Sequence, residues 1–432
     1  MQNTQHPNRK LSPPNNKFED LYLQNPEKIC LDNGLDLYLI ESGLEEVVRI
    51  DLVIKAGSAF QKKKLCATFT NDLLKEGTNN LSSDKIAHQI DFYGAYLSTS
   101  TSKDNAVVTL FAVTKHLKRL LPLFKEIITK AVFPEQEFEI HRDRNRQEFL
   151  IKSEKAKIIA NREFNKLVFG ENTAYGQYLV STDFDFVNRN DLVNFHKTYY
   201  NPENAYLIVS GRPDAESKKL IVKLFGSEWE SNKTKPEGVK SIVSRSFSGD
   251  ILIKKDKFLQ SAIRIGKQII GKNHEDYSYF LFTNTILGGY FGSRLMSNLR
   301  EDKGMTYGIR SFSSNFKHAS YFSIATEVNI KQTSAALSEI KKEIDILQNE
   351  KVSDEEISLV KNYIYGNFLK NFDGPFALAE MFRSVMDIDS DFSFFNESLN
   401  KIMKVDAEVI QQTAQKYLNL QDMCNLVVGD IE

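Results

Sequence analysis

Two stretches carry side chains whose types and spacing could do chemistry. The first is ATFTNDLLKEGT, from Ala67 to Thr78. Read as a short helix ending at Gly77, it turns Phe69 and Leu73 to one face. The other face carries Thr68, Asn71, Asp72 and Lys75, at i, i+3, i+4 and i+7. Such a polar stripe suits a wet face, a metal site or the remains of one. The second stretch is GGYFGSRLMSNLREDKGMTYGIRS, from Gly288 to Ser311. A glycine-rich turn ahead of a helix can bind phosphate. This one lacks G-K-[ST] and does not match G-x-G-x-x-G, so no nucleotide site is expected.

The histidines and cysteines narrow the choice. The seven histidines are His6, His88, His116, His141, His196, His274 and His318. No two are close enough in sequence to put two imidazoles on one helical turn. His88, His116 and His196 fall in helical patterns and read as ordinary structural or surface residues. Cys30, Cys66 and Cys424 are far apart and odd in number. They form neither a CxxC pair nor a disulfide framework, which fits a reducing compartment.

The elements that must position these residues are legible as patterns. Strand-like alternation opens at KICLDNGLDLYLIES, with Asn33-Gly34 as a tight turn, and VVRIDLVIKAG follows. After the polar-striped helix come a second helix at SSDKIAHQIDFYG and two strands, AYLSTSTS and NAVVTLFAV. Helical patterns then run from Lys115 to about Phe169. NAYLIVSG is an apolar strand, and DAESKKLIVKLFG closes this half. The polar segment EWESNKTKPEGVKSIVSRS reads as a linker. The order then repeats: a strand at SAIRIGKQI, two helices, two strands, several helices and a last strand, MCNLVVGD. NPENAYLIVSG and LQDMCNLVVGD match in kind, and VVRIDLV and SAIRIGK are offset by about the same amount. The expectation is an α+β chain of two homologous domains, each a mostly antiparallel sheet with helices packed on one face. The expected boundaries are a disordered tail over 1–17, a first domain over 18–228, a linker over 229–247 and a second domain over 248–432.

Composition excludes other classes. The chain has 432 residues, 41% hydrophobic and 26% charged, enough to bury substantial cores. With 56 Lys plus Arg against 57 Asp plus Glu, no electrostatic case exists for nucleic acid or anionic membrane as the main partner. No apolar run is long enough to span a membrane. The N-terminus has no apolar signal core, so a cytoplasmic location is expected. Arg9, Lys10 and Lys17, with no acid before Glu19, leave organelle targeting open.

LDNGLDLYL, the strand ending in AG and the helix ending in LLKEGT together resemble the pitrilysin/insulinase family of metallopeptidases, of mitochondrial-processing-peptidase type. KLVFGENTAYGQYL and RNDLVNFHKTYYNPENAYLIVSG resemble later segments of that family's first domain, so the resemblance covers nearly the whole chain. The family's helix carries H-x-x-E-H. Without gaps, the first His falls on Thr68, the Glu on Asn71 and the second His on Asp72. Two imidazoles at i and i+4 hold zinc, and the Glu acts as general base on bound water. Hydroxyl and amide oxygens replace them poorly. The family's third ligand is a Glu, and Glu148 sits at its distance. Asp72 and Glu148 alone make a carboxylate pair better suited to a hard cation. Glu148 reads equally well as a solvated residue of a charged helix.

The second stretch is similar to the family's G-G-x-x-S-R-L and L-R-E-x-x-G-x-x-Y, matched by Ser293-Arg294-Leu295, Leu299-Arg300-Glu301, Gly304 and Tyr307. In two-subunit bacterial members one chain carries H-x-x-E-H and the other an Arg and a Tyr that reach the shared site. Those map to Arg300 and Tyr307. Both are hydrogen-bond donors able to hold a peptide carbonyl as it gains negative charge. The bland reading makes Arg300 a helix C-terminal cation and Tyr307 a packed strand aromatic. Gly288, Gly289 and Gly292 would let backbone approach an extended peptide, or just make a tight turn. Arg294 would brace the glycine loop.

The resemblance therefore implies a non-catalytic subunit that holds no metal. It would pair with an H-x-x-E-H subunit that carries the zinc, and bind a peptide or unfolded segment by strand addition. Two alternatives stay open: a peptide-binding scaffold or chaperone-like protein without catalysis, and a self-sufficient hydrolase with an unusual metal at Asp72 and Glu148.

Overall fold

A computed structural model describes residues 23–231, 238–239, 246–255 and 258–431. The tail expected over 1–17 lies outside the described residues, as does most of the linker expected over 229–247.

The first half builds a six-stranded sheet. Its strands are β1 (Glu27–Cys30), β2 (Asp36–Glu41), β3 (Val47–Ile54), β4 (Tyr96–Thr101), β5 (Ala106–Val113) and β6 (Ala205–Gly211). They lie in the order β1-β2-β6-β3-β5-β4. The second half builds a sheet from β7 (Gly249–Lys254), β8 (Gln260–Ile269), β9 (Ile309–Asn315), β10 (Ser320–Asn329) and β11 (Cys424–Gly429), in the order β7-β11-β8-β10-β9. With β1 set aside, the two orders are the same. Each sheet has one parallel pair, β2 with β6 and β7 with β11, and is otherwise antiparallel. The repeat extends to single residues. Gly211 and Gly429 end equivalent strands at φ 110° and 141°. A Cβ on either would strike the start of the neighbouring strand, at the Val47 carbonyl or at Ser261.

Each sheet packs one face on helices of its own half. In the first core, Val48, Ile50, Leu52 and Ile54 meet Phe69, Leu73, Phe124 and Phe138. In the second, Ile263, Ile265, Phe322 and Ile324 meet Phe280, Ile340 and Ile344. The other faces are covered too, and here the structure adds to the one-face expectation. Tyr38, Ile40, Val53, Tyr206 and Ile208 pack under Ala379, Phe382 and Val385 of the second half's helix Pro375–Met386. In return, the first half's helix Ala156–Phe169 lays Ile159, Ala160 and Phe164 against Ala262, Leu426 and Val428. The reason is visible in β6, AYLIVSG, which is apolar on both faces rather than at every second position. A strand of that kind needs cover on both faces.

A buried ionic group fixes the first of these dockings. Arg49 Nε lies 2.7 Å from Asp51 Oδ2, and its Nη2 lies 2.5 Å from Glu380 Oε1 on the covering helix. Thr109 donates to Asp51 Oδ1 at 2.5 Å. A loop contact joins the halves elsewhere: the Tyr175 hydroxyl donates to Asp104 Oδ1 at 2.6 Å, while the Lys317 amide donates to Asp104 Oδ2 at 2.9 Å. Among the described residues no helix is long and apolar enough to cross a membrane.

Candidate functional site

The polar-striped helix spans Cys66–Asp72 and tightens into a 3-10 turn over Leu73–Glu76 before Gly77. Its stripe is not a free wet face. Asn71 is fully buried. Its amide donates to the carbonyls of Ser100 at 2.8 Å and Val107 at 3.2 Å, and its oxygen accepts from the Tyr200 hydroxyl at 3.1 Å. Burial holds that phenol far from ionising. Asn71 thus braces the helix to β4, β5 and the helix Arg189–Tyr199 that precedes Tyr200. Thr68 is half-buried one turn earlier. Asp72 accepts from the Thr99 hydroxyl at 3.2 Å.

The helix Glu135–Ser153 brings His141 to Asp72, with Nε2 3.5 Å from Oδ2. The ring packs edge-on against Phe69 at 4.7 Å. Arg144 Nη2 lies 3.2 Å from Nδ1. A guanidinium can only donate, so Nδ1 accepts and the neutral ring carries its hydrogen on Nε2, toward Asp72. The pairing is long for a hydrogen bond. No local sequence pattern marks it, since 69 residues separate Asp72 from His141. Glu148 itself points elsewhere. It is exposed and pairs with Lys152 at 2.9 Å, whose ammonium holds the Glu148 carboxyl below its ordinary value.

These side chains do not fit a zinc site. The Asn71 amide is consumed internally, Nδ1 of His141 is occupied by Arg144, and Glu148 is tied to Lys152 at the surface. Among the described residues, no group of three or more His, Cys, Asp or Glu side chains is placed to hold a metal ion.

The second stretch folds as a loop between two helical segments and β9. Thr285–Gly289 and Met296–Asp302 are wide, π-type turns. Gly288 is buried where a Cβ would come within 2.6 Å of the Ser311 backbone nitrogen. That close approach lets β9 pass. Gly289 and Gly292 lie at the surface. Arg294 grips Glu356 with two bonds, at 3.0 and 2.8 Å, and so anchors the loop to the helix Asp354–Asn371.

Arg300 lies in the last turn of Met296–Asp302, with its guanidinium 4.5 Å from the centre of the Phe291 ring. Tyr307 stands in the connecting loop, two residues before β9 begins at Ile309, rather than inside the strand. Its neighbour Thr306 pins the loop by donating to the Glu327 carbonyl at 2.8 Å. Tyr307 itself is 94% exposed. Arg300 and Tyr307 therefore occupy the two limbs of one loop. No ion pair or hydrogen bond among the described residues joins that loop to the Asp72–His141 pair.

Known proteins resemble this chain in sequence and in fold. A model of the insulinase family (peptidase family M16) matches residues 38–174. A model of the peptidase M16 inactive domain matches residues 187–364. The chain is 24% identical to the mitochondrial-processing peptidase subunit beta of Bos taurus, over 93% of this chain and 84% of that one. It is also 24% identical to an uncharacterized zinc protease of Rickettsia bellii, over 89% of this chain and 93% of that one. In fold it is similar to a crystal structure of a peptidase M16 inactive domain from Pseudomonas fluorescens. The TM-score is 0.84 at 20% identity, covering 95% of this chain and 99% of that chain.

Proposed function

We propose, from the premise that this chain belongs to the insulinase (M16) family of peptidases, that it is the non-catalytic subunit of a two-subunit zinc peptidase. Its partner would be an H-x-x-E-H chain, and Arg300 and Tyr307 would serve the partner's site in trans. The observation that carries this reading is Tyr307. A phenol left 94% exposed is out of place as a packed strand aromatic and is open to meet a second chain.

The division of labour follows from the residues. Zinc held by the partner would supply the activated water. This chain's phenol O–H and guanidinium N–H groups would donate to the peptide carbonyl oxygen, more strongly as negative charge builds on it. The peptide would lie extended along a free sheet edge, with Gly289 and Gly292 leaving room for its backbone. Gly288, buried against Ser311, would shape the loop rather than touch the peptide. The self-sufficient hydrolase is disfavoured because Glu148 is paired with Lys152 and Asp72 faces a histidine whose second nitrogen is taken.

Reconstitution tests the reading. This chain is mixed with the H-x-x-E-H protein encoded nearest to it, and peptide cleavage is measured with each chain alone and with both. Activity should need both. Tyr307→Phe should lower turnover by about 100-fold, the range for losing one oxyanion donor, while the complex still co-elutes on gel filtration. Cleavage unchanged by both Tyr307→Phe and Arg300→Ala would end the in-trans role.

A further inference from the structure

The outer face of the second sheet is only partly covered. Helix Ala156–Phe169 lies over β8 and β11 and leaves the β9–β10 side open. Between the flank of that helix and the open strands lies a hollow of about 580 Å³, with Tyr307 on its rim. Side chains across the strands explain it. Ala325 of β10 pairs with Arg264 on one side and Arg310 on the other, and Ser323 pairs with Gly266 and Phe312. Small residues on the central strand make a floor, and two guanidinium groups face each other across Ala325 in one register row.

The charges in the hollow do not balance. Arg264 is buried and fully engaged: its Nε donates to Asn161 Oδ1 at 2.8 Å, Nη1 to the Ile263 carbonyl at 2.7 Å and Nη2 to Glu327 Oε1 at 3.1 Å. Burial lowers its pKa; the Arg310 charge adds to that and Glu327 opposes it. Lys157 leans on the same Glu327, at 3.7 Å. One carboxylate therefore answers two cations. Arg310, stacked 5.0 Å over Phe312, has no carboxylate partner among the described residues. Three cations against one anion line a concavity beside β9, whose outer edge pairs with no strand among the described residues.

We propose that this hollow is a subsite for a carboxylate of the bound peptide, received by Arg310 with Lys157 beside it. The proposal rests on the peptide-binding reading above and adds the chemical class that the site selects. A peptide added to the free edge of β9 would send every second side chain toward the face that carries Arg310 and Phe312. An Asp or Glu side chain would meet the unpaired guanidinium there. The terminal carboxylate of a peptide ending at the hollow would do the same. Phe312 and Tyr321 would pack against its aliphatic part.

Three versions of one fluorescein-labelled extended peptide test this by anisotropy on the full chain. The first has a central Gln and an amidated C-terminus. The second replaces the Gln by Glu. The third keeps the Gln and frees the C-terminal carboxylate. A carboxylate-bearing version should bind about tenfold tighter than the neutral one at low salt, the gain of one charge-assisted hydrogen bond. Which version gains tells a side-chain carboxylate from a terminal one. Arg310→Ala should bring the ratio close to one, and Arg310→Glu should reverse the preference. Arg310→Lys should keep part of it. If all three versions bind wild type equally, or if Arg310→Glu leaves the ratio intact, the subsite is wrong while peptide binding stands. If none binds, the peptide-binding reading falls and takes the subsite with it.

Discussion

With both amide hydrogens and the amide oxygen engaged, Asn71 holds the helix Cys66–Asp72 to two strands and to Tyr200. Asn71→Ala would remove a donor from the Ser100 and Val107 carbonyls, which keep each other in the β4–β5 ladder, and would strand the Tyr200 hydroxyl beside a new cavity in the interior. An unmet buried polar group costs about 1–3 kcal/mol, and neighbouring losses do not simply add. The expected loss is about 3 kcal/mol, read as a lower urea midpoint at an unchanged slope. A midpoint within error of wild type would mean that the amide is not a brace. The side-chain types at Thr68, Asn71 and Asp72 were legible in the sequence, because spacing alone aligns them. Their engagements were not. The Asn71 partners come from β4, β5 and Tyr200, and the Asp72 partner His141 comes from a helix that begins at Glu135. No local pattern reports on a contact made across such separations.

The glycine loop shows the same limit one level up. Its existence, its helical flanks and the strand after it are written in GGYFGSRLMSNLREDKGMTYGIRS. The wide turns at Thr285–Gly289 and Met296–Asp302 are not, since a π-type turn changes hydrogen bonding without changing apolar spacing much. Nor does the sequence say which glycine serves packing and which serves access. The structure separates them by what a methyl group would meet. At Gly288 it would meet the Ser311 backbone at 2.6 Å, and at Gly289 the Asn284 carbonyl at 3.3 Å in an exposed position. Backbone cannot swing aside as a side chain can. Gly288→Ala should therefore destabilise the chain by about 1–3 kcal/mol, the cost of overpacking, while Gly289→Ala should cost less than 1 kcal/mol. Paired urea titrations check the ordering. Equal effects would mean that β9 can shift to relieve Gly288.

Whole-molecule architecture depends on an exchange between the halves. The internal repeat is legible, because NPENAYLIVSG and LQDMCNLVVGD end equivalent strands at equivalent glycines. The exchange is not, since an apolar strand face announces that it will be covered and not which helix will cover it. Helix Pro375–Met386 covers the first sheet, helix Ala156–Phe169 covers the second, and Arg49 closes the first docking through Glu380. Neither half can then satisfy its own sheet. A fragment ending at residue 247 would expose Tyr38, Ile40, Val53, Tyr206 and Ile208, and would leave Arg49 with Asp51 alone. Exposed apolar patches of that kind drive association. That fragment, produced alone, is expected to aggregate or to bind ANS strongly, and co-expression with residues 248–432 should restore a soluble complex. The intact chain should unfold in a single transition when followed by both fluorescence and circular dichroism. A soluble, monomeric first half with its own sharp unfolding transition would show that the exchanged helices decorate two independent domains rather than complete them.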